Sequence, residues 1–147
     1  MDLKVNIEGL RGVEEALQEA GPKLAKKYLR KALLAGGEVF QQAARDRAPV
    51  LKEATTQRQP GELRDSIDVR ITLSAKEESG TAHVGPRREK GGGSDQPGVW
   101  GMFEEFGSIH GAAQPYMRPA FDEAGTRAQE AFTEVLKAGL ESLGKKP

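Results

Sequence analysis

The residues best suited to chemistry lie together in one stretch, VWGMFEEFGSIHGAAQPYMRPAFDEA, at positions 99–124. It holds most of the aromatic residues of the chain, the adjacent acids Glu104 and Glu105, and the histidine His110. An acid pair, or an acid with a histidine, can act as general acid and base when both side chains converge on one substrate. The stretch is therefore either an active site or an interaction surface.

The spacing of these residues argues against catalysis. Adjacent residues do not face each other on a helix and point to opposite sides of a strand, so Glu104 and Glu105 cannot converge. His110 falls in a glycine-rich loop and His83 on the polar side of a predicted strand, and neither has a metal-ligand partner at the required spacing. We therefore predict no catalytic, cofactor-binding or metal-binding residue. A small hydrolase that uses Glu105 and His110 is kept as an alternative.

Composition narrows the class of protein further. The 147 residues fit a single domain, which we predict for residues 1–147. The 22 basic and 22 acidic side chains cancel, so no overall field attracts nucleic acid or an anionic membrane. Cysteine is absent from the sequence, which excludes disulfides and cysteine-ligated metals. With no signal peptide and no long apolar run, we expect a soluble protein made in a cytoplasm.

Hydrophobic periodicity predicts the elements that precede the stretch. Alternation at 3–7 indicates a short strand, and apolar spacing at 10–17 indicates a short helix. A long helix should run from Pro22 to about Arg47, because a residue before proline is pushed out of the helical region. Strict alternation in SIDVRITLS and in TAHVG indicates two strands joined as an antiparallel hairpin.

The remaining segments are two loops and a final helix. We expect mobile loops near 50–62 and 86–98 and a frayed, basic C-terminal tail, LGKKP. Pro119 should open the last helix, with Asp122 and Glu123 in its first turn. The order of elements predicts an α+β fold in which two long helices and one short N-terminal helix pack on a small antiparallel sheet.

Six short motifs then occur in a fixed order along nearly the whole chain. They are GLRGVEEAL at 9–17, RAP at 47–49, the run of Gly61, Leu63, Ser66 and Ile67, the pair Val84-Gly85, EFGS at 105–108 and PYMRPA at 115–120. In this order the chain resembles the tail-completion family of long-tailed phages, also called minor tail, neck or head-to-tail joining proteins. Two departures are Ser108 in place of the usual threonine and the longer segment LKEATTQRQPGE after RAP.

The resemblance implies a structural virion protein, assembled in the cytoplasm of the host bacterium and located at the neck of the tail. It implies an oligomeric ring, hexameric in the family, that joins the tail to the capsid connector. The expected partners are a connector or stopper protein and a tail terminator or tail tube. DNA could pass the ring without sequence-specific binding, and no membrane is involved.

We predict a structural and interface motif within the aromatic stretch. Our hypothesis is that Glu105 pairs with Arg118 and fixes the turn between them, and that Gly107 permits a positive φ there. The aromatics Trp100 and Phe103 should pack against the hairpin or the first long helix. The full motif comprises Trp100, Phe103, Glu105, Phe106, Gly107, Pro115, Arg118 and Pro119.

Besides the hydrolase, an alternative from another class is kept as the runner-up. The basic loop residues Arg87, Arg88 and Lys90, with the basic tail, could make the chain a small nucleic-acid-binding module, or could contact DNA or a partner protein. Glu89 interrupts the basic run, and no aromatic stands beside it to stack on a base.

Overall fold

The computed structural model describes residues 2–3, 15, 18–19, 21–74 and 79–144. The helices of these residues are α1 (Pro22–Arg47), α2 (Glu62–Ser66), α3 (Pro97–Phe106) and α4 (Met117–Gly144), and the strands are β1 (Asp2–Leu3), β2 (Ile67–Leu73) and β3 (Gly80–Pro86). The strands form one sheet in the order β1-β3-β2. The predicted α+β class, with long helices on a small antiparallel sheet, is confirmed. The short helix at 10–17 and the strand at 3–7 lie almost wholly outside the described residues.

Helix α1 has the bounds that periodicity predicts. Its apolar stripe is buried, including Leu33, Phe40 and Ala44, which are at most 3% exposed. Gly36 lies on the side that meets α4, where a Cβ atom would come within 3.0 Å of the carbonyl oxygen of Ala128. The glycine therefore permits a close approach of two helix backbones.

The hairpin strands also follow the predicted alternation. Ile67 is fully buried at the start of β2, and every second residue after it is less exposed than its neighbours. In β3, Ala82 and Val84 are the buried residues. Strand β1 pairs with β3 in antiparallel register, with Leu3 opposite Ala82.

The structure differs from the prediction between the loop and β2. The short helix α2 intervenes there, and it follows Gly61, whose φ of 82° lies in the left-handed region. The side-chain hydroxyl of Ser66 donates to the carbonyl of Leu63 at 2.7 Å, which occupies the side chain at the end of this helix. A five-residue helix is too short to give a periodic signal, so sequence pattern alone could not predict it.

The described residues divide into two compact units. The first unit lies within Phe40–Val69 and Val84–Gly125, and the second lies within Asp2–Val39, Arg70–His83 and Thr126–Pro147. The core of the first unit includes Phe40, Leu63, Ile67, Trp100, Tyr116 and Ala124; that of the second includes Leu33, Ala82, Ala128, Phe132 and Leu136. The single domain predicted for residues 1–147 stays a prediction.

Across the described part of the chain, none of the helices combines the length and the apolar composition that a membrane crossing requires.

Candidate interaction surface at the junction of α3 and α4

Helix α3 divides the aromatic stretch into a buried and an exposed side. Pro97 occupies its first turn, where the missing N–H costs little, and Gly107 ends the helix with a φ of 81°. Trp100, Gly101 and Glu105 are the buried residues. The helical period places the remaining aromatic side chains on the opposite side.

The buried side of α3 is closely packed. A Cβ atom at Gly101 would lie 2.7 Å from a methyl carbon of Leu63 and 2.9 Å from the hydroxyl of Tyr116. Glycine at this position therefore lets the start of α4 approach α3. Trp100 is only 4% exposed, and the guanidinium of Arg58 lies over its ring at 4.9 Å from the centroid. The loop near 50–62 thus supplies part of the cover over Trp100.

The side chain of Glu105 caps the start of α4 by accepting hydrogen bonds from backbone N–H groups that have no partner within the helix. Its carboxylate accepts hydrogen bonds from the backbone N–H groups of Tyr116 at 2.7 Å, Met117 at 2.8 Å and Arg118 at 3.1 Å. Pro119 has no N–H group, and the N–H of Ala120 already donates to the carbonyl of Tyr116 at 3.2 Å. A helix leaves its first four backbone N–H groups without a partner inside the helix. Here the Glu105 carboxylate binds three of them, and the fourth position is a proline, which has no N–H group.

This cap changes where the last helix begins. We predicted that Pro119 opens it, but α4 begins two residues earlier, at Met117. As a consequence Asp122 and Glu123 lie beyond the first turn, which contains no acidic residue. The favourable negative charge at the N-terminus comes from Glu105 instead.

Arg118 completes the junction. Its Nε donates to the Glu105 carboxylate at 2.9 Å, so the predicted pair is present, and its Nη2 donates to the Glu105 carbonyl at 3.0 Å. The guanidinium also lies over the ring of Phe106, 5.1 Å from the centroid. One arginine therefore ties the end of α3 to the start of α4 through a carboxylate, a carbonyl and an aromatic face.

The electrostatics of this junction favour an ionised Glu105. Burial raises the pKa of the Glu105 carboxyl, but the bonds from Met117, from the Arg118 side chain and from Tyr116 outweigh it, so the pKa lies below its ordinary value. Burial, together with the charges of Glu105 and Glu104, raises the pKa of the Tyr116 hydroxyl. Tyr116 therefore stays neutral beside a charged carboxylate.

The same geometry argues against a hydrolase that uses Glu105 and His110. Both carboxylate oxygens of Glu105 already accept hydrogen bonds from α4, and the residue as a whole is only 4% exposed. His110 lies on an exposed turn, where its backbone N–H donates a hydrogen bond to the Ser108 hydroxyl oxygen at 3.1 Å. Glu105 is a structural anion in this arrangement rather than a base available to a substrate.

Backbone contacts hold the connection between α3 and α4. A Cβ atom at Gly107 would lie 3.0 Å from the backbone nitrogen of Ala113, in addition to the strain of its positive φ. Ser108 and Gly111 form an isolated antiparallel bridge, and the N–H of Gln114 donates to the carbonyl of Glu104 at 2.7 Å. The connection is therefore pinned at several points along its length.

The exposed side of this junction is apolar. Met102, Phe103, Phe106 and Ile109 are 46%, 47%, 66% and 95% exposed. We call these four residues the apolar face. Phe103 is thus about half exposed, whereas Trp100 is buried. The expectation that these two aromatics pack against the hairpin or the first long helix stays a prediction.

The other predicted residues lie as follows. Pro115 is exposed in the α3–α4 connection, and Pro119 is half-buried in the first turn of α4. Arg87, Arg88 and Lys90 are all exposed, and Arg87 forms an ion pair with Asp68 at 3.3 Å. Part of the positive charge on this loop is thus balanced within the chain, and no group of three metal-ligating side chains occurs among the described residues.

Two features of the site escaped sequence reasoning. The packing role of Gly101 was missed, although a glycine inside a helical pattern, between Trp100 and Met102, is the signal that could have indicated a close approach. The cap on α4 was missed because only the side-chain pair of Glu105 and Arg118 was considered. No local sequence rule connects a carboxylate to helix donors eleven to thirteen residues away.

The comparisons with known proteins identify a family. Over residues 11–107 the chain matches the model of the HK97-gp10-like family, described as "Bacteriophage HK97-gp10, putative tail-component". The matched region includes α1, the hairpin and α3, and ends at Gly107. Neither the comparison with curated proteins nor that with solved structures finds a match.

Proposed function

We propose that this chain, which belongs to the HK97-gp10-like family of bacteriophage tail components, completes the tail at the neck and joins it to the capsid connector. The family is one of structural tail components, so the chain is a structural protein of the virion that interacts with other tail proteins, and it is not an enzyme. The proposal adds the neck position, an oligomeric ring of six copies that DNA can pass, and two neighbours. These are a connector or stopper protein on one side and a tail terminator or tail tube on the other.

The observation that carries this proposal is the apolar face. Its four side chains are exposed together on α3 and on the turn that follows, and an exposed apolar cluster of this kind is typical of a protein interface. The other side of α3 is buried at Trp100 and Gly101, and its end is tied to α4 by Glu105. Little conformational freedom remains to be lost on binding, which favours a specific contact.

The test replaces apolar side chains without touching the junction. Met102→Gln combined with Phe103→Gln removes two exposed apolar groups, keeps good helix formers and leaves Glu105 and Arg118 in place. In a phage that carries this gene, we expect the variant to yield DNA-filled capsids and separate, complete tails, which electron microscopy of the lysate can count. The purified variant should melt at the wild-type temperature.

A matched control is available in the same unit. Val50 is 51% exposed and lies outside the α3–α4 junction, so Val50→Gln makes a similar polar change at an unrelated place. We expect normal virions from this control. If the double variant lacks tails altogether, the protein acts in building the tail rather than in joining it. If it forms normal virions, the apolar face is not the joining surface.

A further inference from the structure

Strand β2 lies at an edge of the sheet. The strand order is β1-β3-β2, so β3 is the one described strand that pairs with β2, and the other side of β2 has no neighbouring strand among the described residues. Residues 70–73 of β2 and residues 80–83 of β3 both belong to the second compact unit. We call the outer side of residues 70–73 the open edge. An edge strand presents unpaired N–H and C=O groups to whatever lies beside it.

Hydrogen bonds and contacts show which backbone groups of this segment face β3. Just after the strand, the N–H of Ser74 donates to the carbonyl of Ser79 at 2.9 Å. The carbonyl oxygen of Thr72 faces the same way, since a Cβ atom built at Gly80 would lie 3.5 Å from it. Even-numbered residues of this segment therefore direct their backbone groups toward β3.

The odd-numbered residues point the other way, because the backbone groups of successive residues in a strand alternate in direction. Ile71 and Leu73 thus direct two N–H and two C=O groups toward the open edge, and no hydrogen bond joins these groups to another described residue. At the start of β2, in contrast, the outward carbonyl of Ile67 accepts from the side chains of Gln41 at 2.7 Å and Arg45 at 2.8 Å. The chain covers that carbonyl itself and leaves the groups of the open edge free to pair.

The open edge also lacks most of the features that keep edge strands from pairing. Such strands commonly carry lysine, proline or a bulge. The sequence RITL at 70–73 contains no lysine, proline or glycine, and Ile71 and Thr72 are β-branched, which favours a strand. The side chains of Ile71 and Leu73 are only half-buried, whereas Ala82 on the central strand is fully buried. A further strand would extend the apolar cover over them.

Arg70 adds a charge preference to this edge. Its side chain is exposed and forms no ion pair with another described residue. Arg87, in contrast, pairs with Asp68 at 3.3 Å. Side chains of opposite charge on the same side of neighbouring strands stabilise their pairing. An acidic residue on an added strand, on the side of Arg70, would therefore complement the open edge.

We propose that the open edge binds an extended segment of another tail protein, which adds to the sheet beside β2. The backbone of this segment pairs with the outward groups of Ile71 and Leu73, its apolar residues alternate with polar ones, and an acidic residue faces Arg70. Main-chain hydrogen bonds supply affinity in this mode of binding, and the alternate side chains supply specificity. The inference goes beyond the proposed function, because it concerns residues outside the apolar face and needs only that the chain lies in the tail.

Hydrogen exchange of single amides tests the inference. In the purified chain, followed by NMR, the amides of Arg70 and Thr72 face β3, so those of Ile71 and Leu73 should exchange at least about tenfold faster. In tails purified from virions, mass spectrometry with fragmentation to single amides should find Ile71 and Leu73 slowed at least about tenfold, with little change at Arg70 and Thr72.

Three results of this experiment would overturn the inference. The first is slow exchange of Ile71 and Leu73 in the dilute purified chain, because the edge would then already be covered. The second is exchange in the tails that is as fast as in the purified chain. The third is slowing that rises with the concentration of the purified chain alone, because the occupant would then be a second copy.

Two variants at position 71 separate the backbone from the side chain. Ile71→Pro removes the outward N–H, and proline is tolerated on an edge strand where this group faces away from the sheet. Ile71→Ala removes most of the same side chain but keeps the N–H. We expect purified tails to contain at least about tenfold less of the proline variant than of the alanine variant. Equal amounts would overturn the inference, and hydrogen exchange of the wild type decides it if the proline variant does not fold.

A charge reversal tests the acidic residue of the partner. Arg70→Glu places like charges on neighbouring strands and should reduce incorporation into tails by about tenfold. Arg88→Glu is the matched control, because it makes the same change on an exposed loop and should be incorporated normally. Normal incorporation of Arg70→Glu would overturn the inference that the bound segment is acidic at this position.

The failure of this inference and that of the proposed function are distinguishable. A protein that joins capsids to tails while Ile71 and Leu73 exchange fast in the tail keeps the proposed function and loses the inference. A protein whose two amides are slowed in the tail, but whose apolar-face variant forms normal virions, keeps the inference and loses the proposed joining surface.

Discussion

Two arginine–glutamate pairs connect α4 to other elements, and they differ in the exposure of their side chains and in whether the glutamate also binds the helix backbone. Arg118 and Glu105 join α4 to α3, with a glutamate side chain only 6% exposed. Arg47 and Glu123 join α4 to α1, with side chains 45% and 52% exposed. The first glutamate also caps the helix backbone, whereas the second accepts from the arginine at 2.9 Å through Nε and again through Nη2. Burial and backbone donors, not the residue types, decide what such a pair contributes.

The largest expected effect comes from removing the buried carboxylate. Glu105→Ala leaves three backbone donors at the start of α4, those of Tyr116, Met117 and Arg118, without this partner and removes the anion beside Arg118, so we expect the free energy of unfolding to fall by about 3–5 kcal/mol. Urea denaturation followed by circular dichroism measures this. Glu104→Ala is the matched control, since the contact that Glu104 makes to Gln114 uses its backbone carbonyl. A loss no larger than that of the control would contradict the cap.

The next effect comes from the arginine of the same pair. Arg118→Ala keeps the carboxylate bonded to the backbone of α4 but removes the bonds to Glu105 and the contact with Phe106, and we expect a loss of about 1.5–3 kcal/mol. Arg118→Lys should recover only part of it, because lysine lacks the planar fork. Both the melting temperature and virion assembly should be measured. If neither changes in Arg118→Ala, the pairing hypothesis fails.

The pH dependence of stability sharpens the comparison. Since the pKa of Glu105 is lowered in the folded chain, its contribution is fully present above the unfolded pKa of about 4.3 and is lost as the pH falls through the folded value. We expect the wild type to lose more stability than Glu105→Gln between about pH 5 and pH 2, measured by thermal melts. Equal acid dependence in the two proteins would show that the carboxylate is not stabilised in its ionised form.

The smallest effect is expected at the exposed pair. Arg47→Ala should lower the free energy of unfolding by less than about 1 kcal/mol, because both side chains are largely solvated. Added salt should reduce the difference from the wild type further. A loss as large as that of Arg118→Ala would mean that exposure is a poor guide to the worth of these pairs.

Much of the fold was predictable because its periodic segments are long. Helix α1 and the strands of the hairpin have one buried side each, and that pattern is visible in the sequence at Leu33, Ile67 and Ala82. The start of α4 was placed two residues late at Pro119, because the prediction used local signals only. The short helix α2 carries no periodic signal at all.

The candidate site was predictable in its members but not in its arrangement. The pair of Glu105 and Arg118 and the positive φ of Gly107 follow from residue types and order. The exposure of Phe103 could not be predicted in this way, because a helix with aromatic residues on several sides does not reveal which side the neighbouring elements cover. Gly101 shows the converse, since its role depends on Leu63 and Tyr116 from other elements.

The sequence by itself determined the α+β class, the long helix α1, the hairpin and the order of motifs that place the chain among phage tail components. These depend on local periodicity and on residue identity, which folding does not alter. The tertiary structure decided where α4 begins and that the aromatic stretch presents an apolar face. The start of α4 depends on the carboxylate of Glu105, which reaches the backbone of α4 only once the two helices have packed. The apolar face depends on which side of α3 is covered, and that side carries Trp100, Gly101 and Glu105.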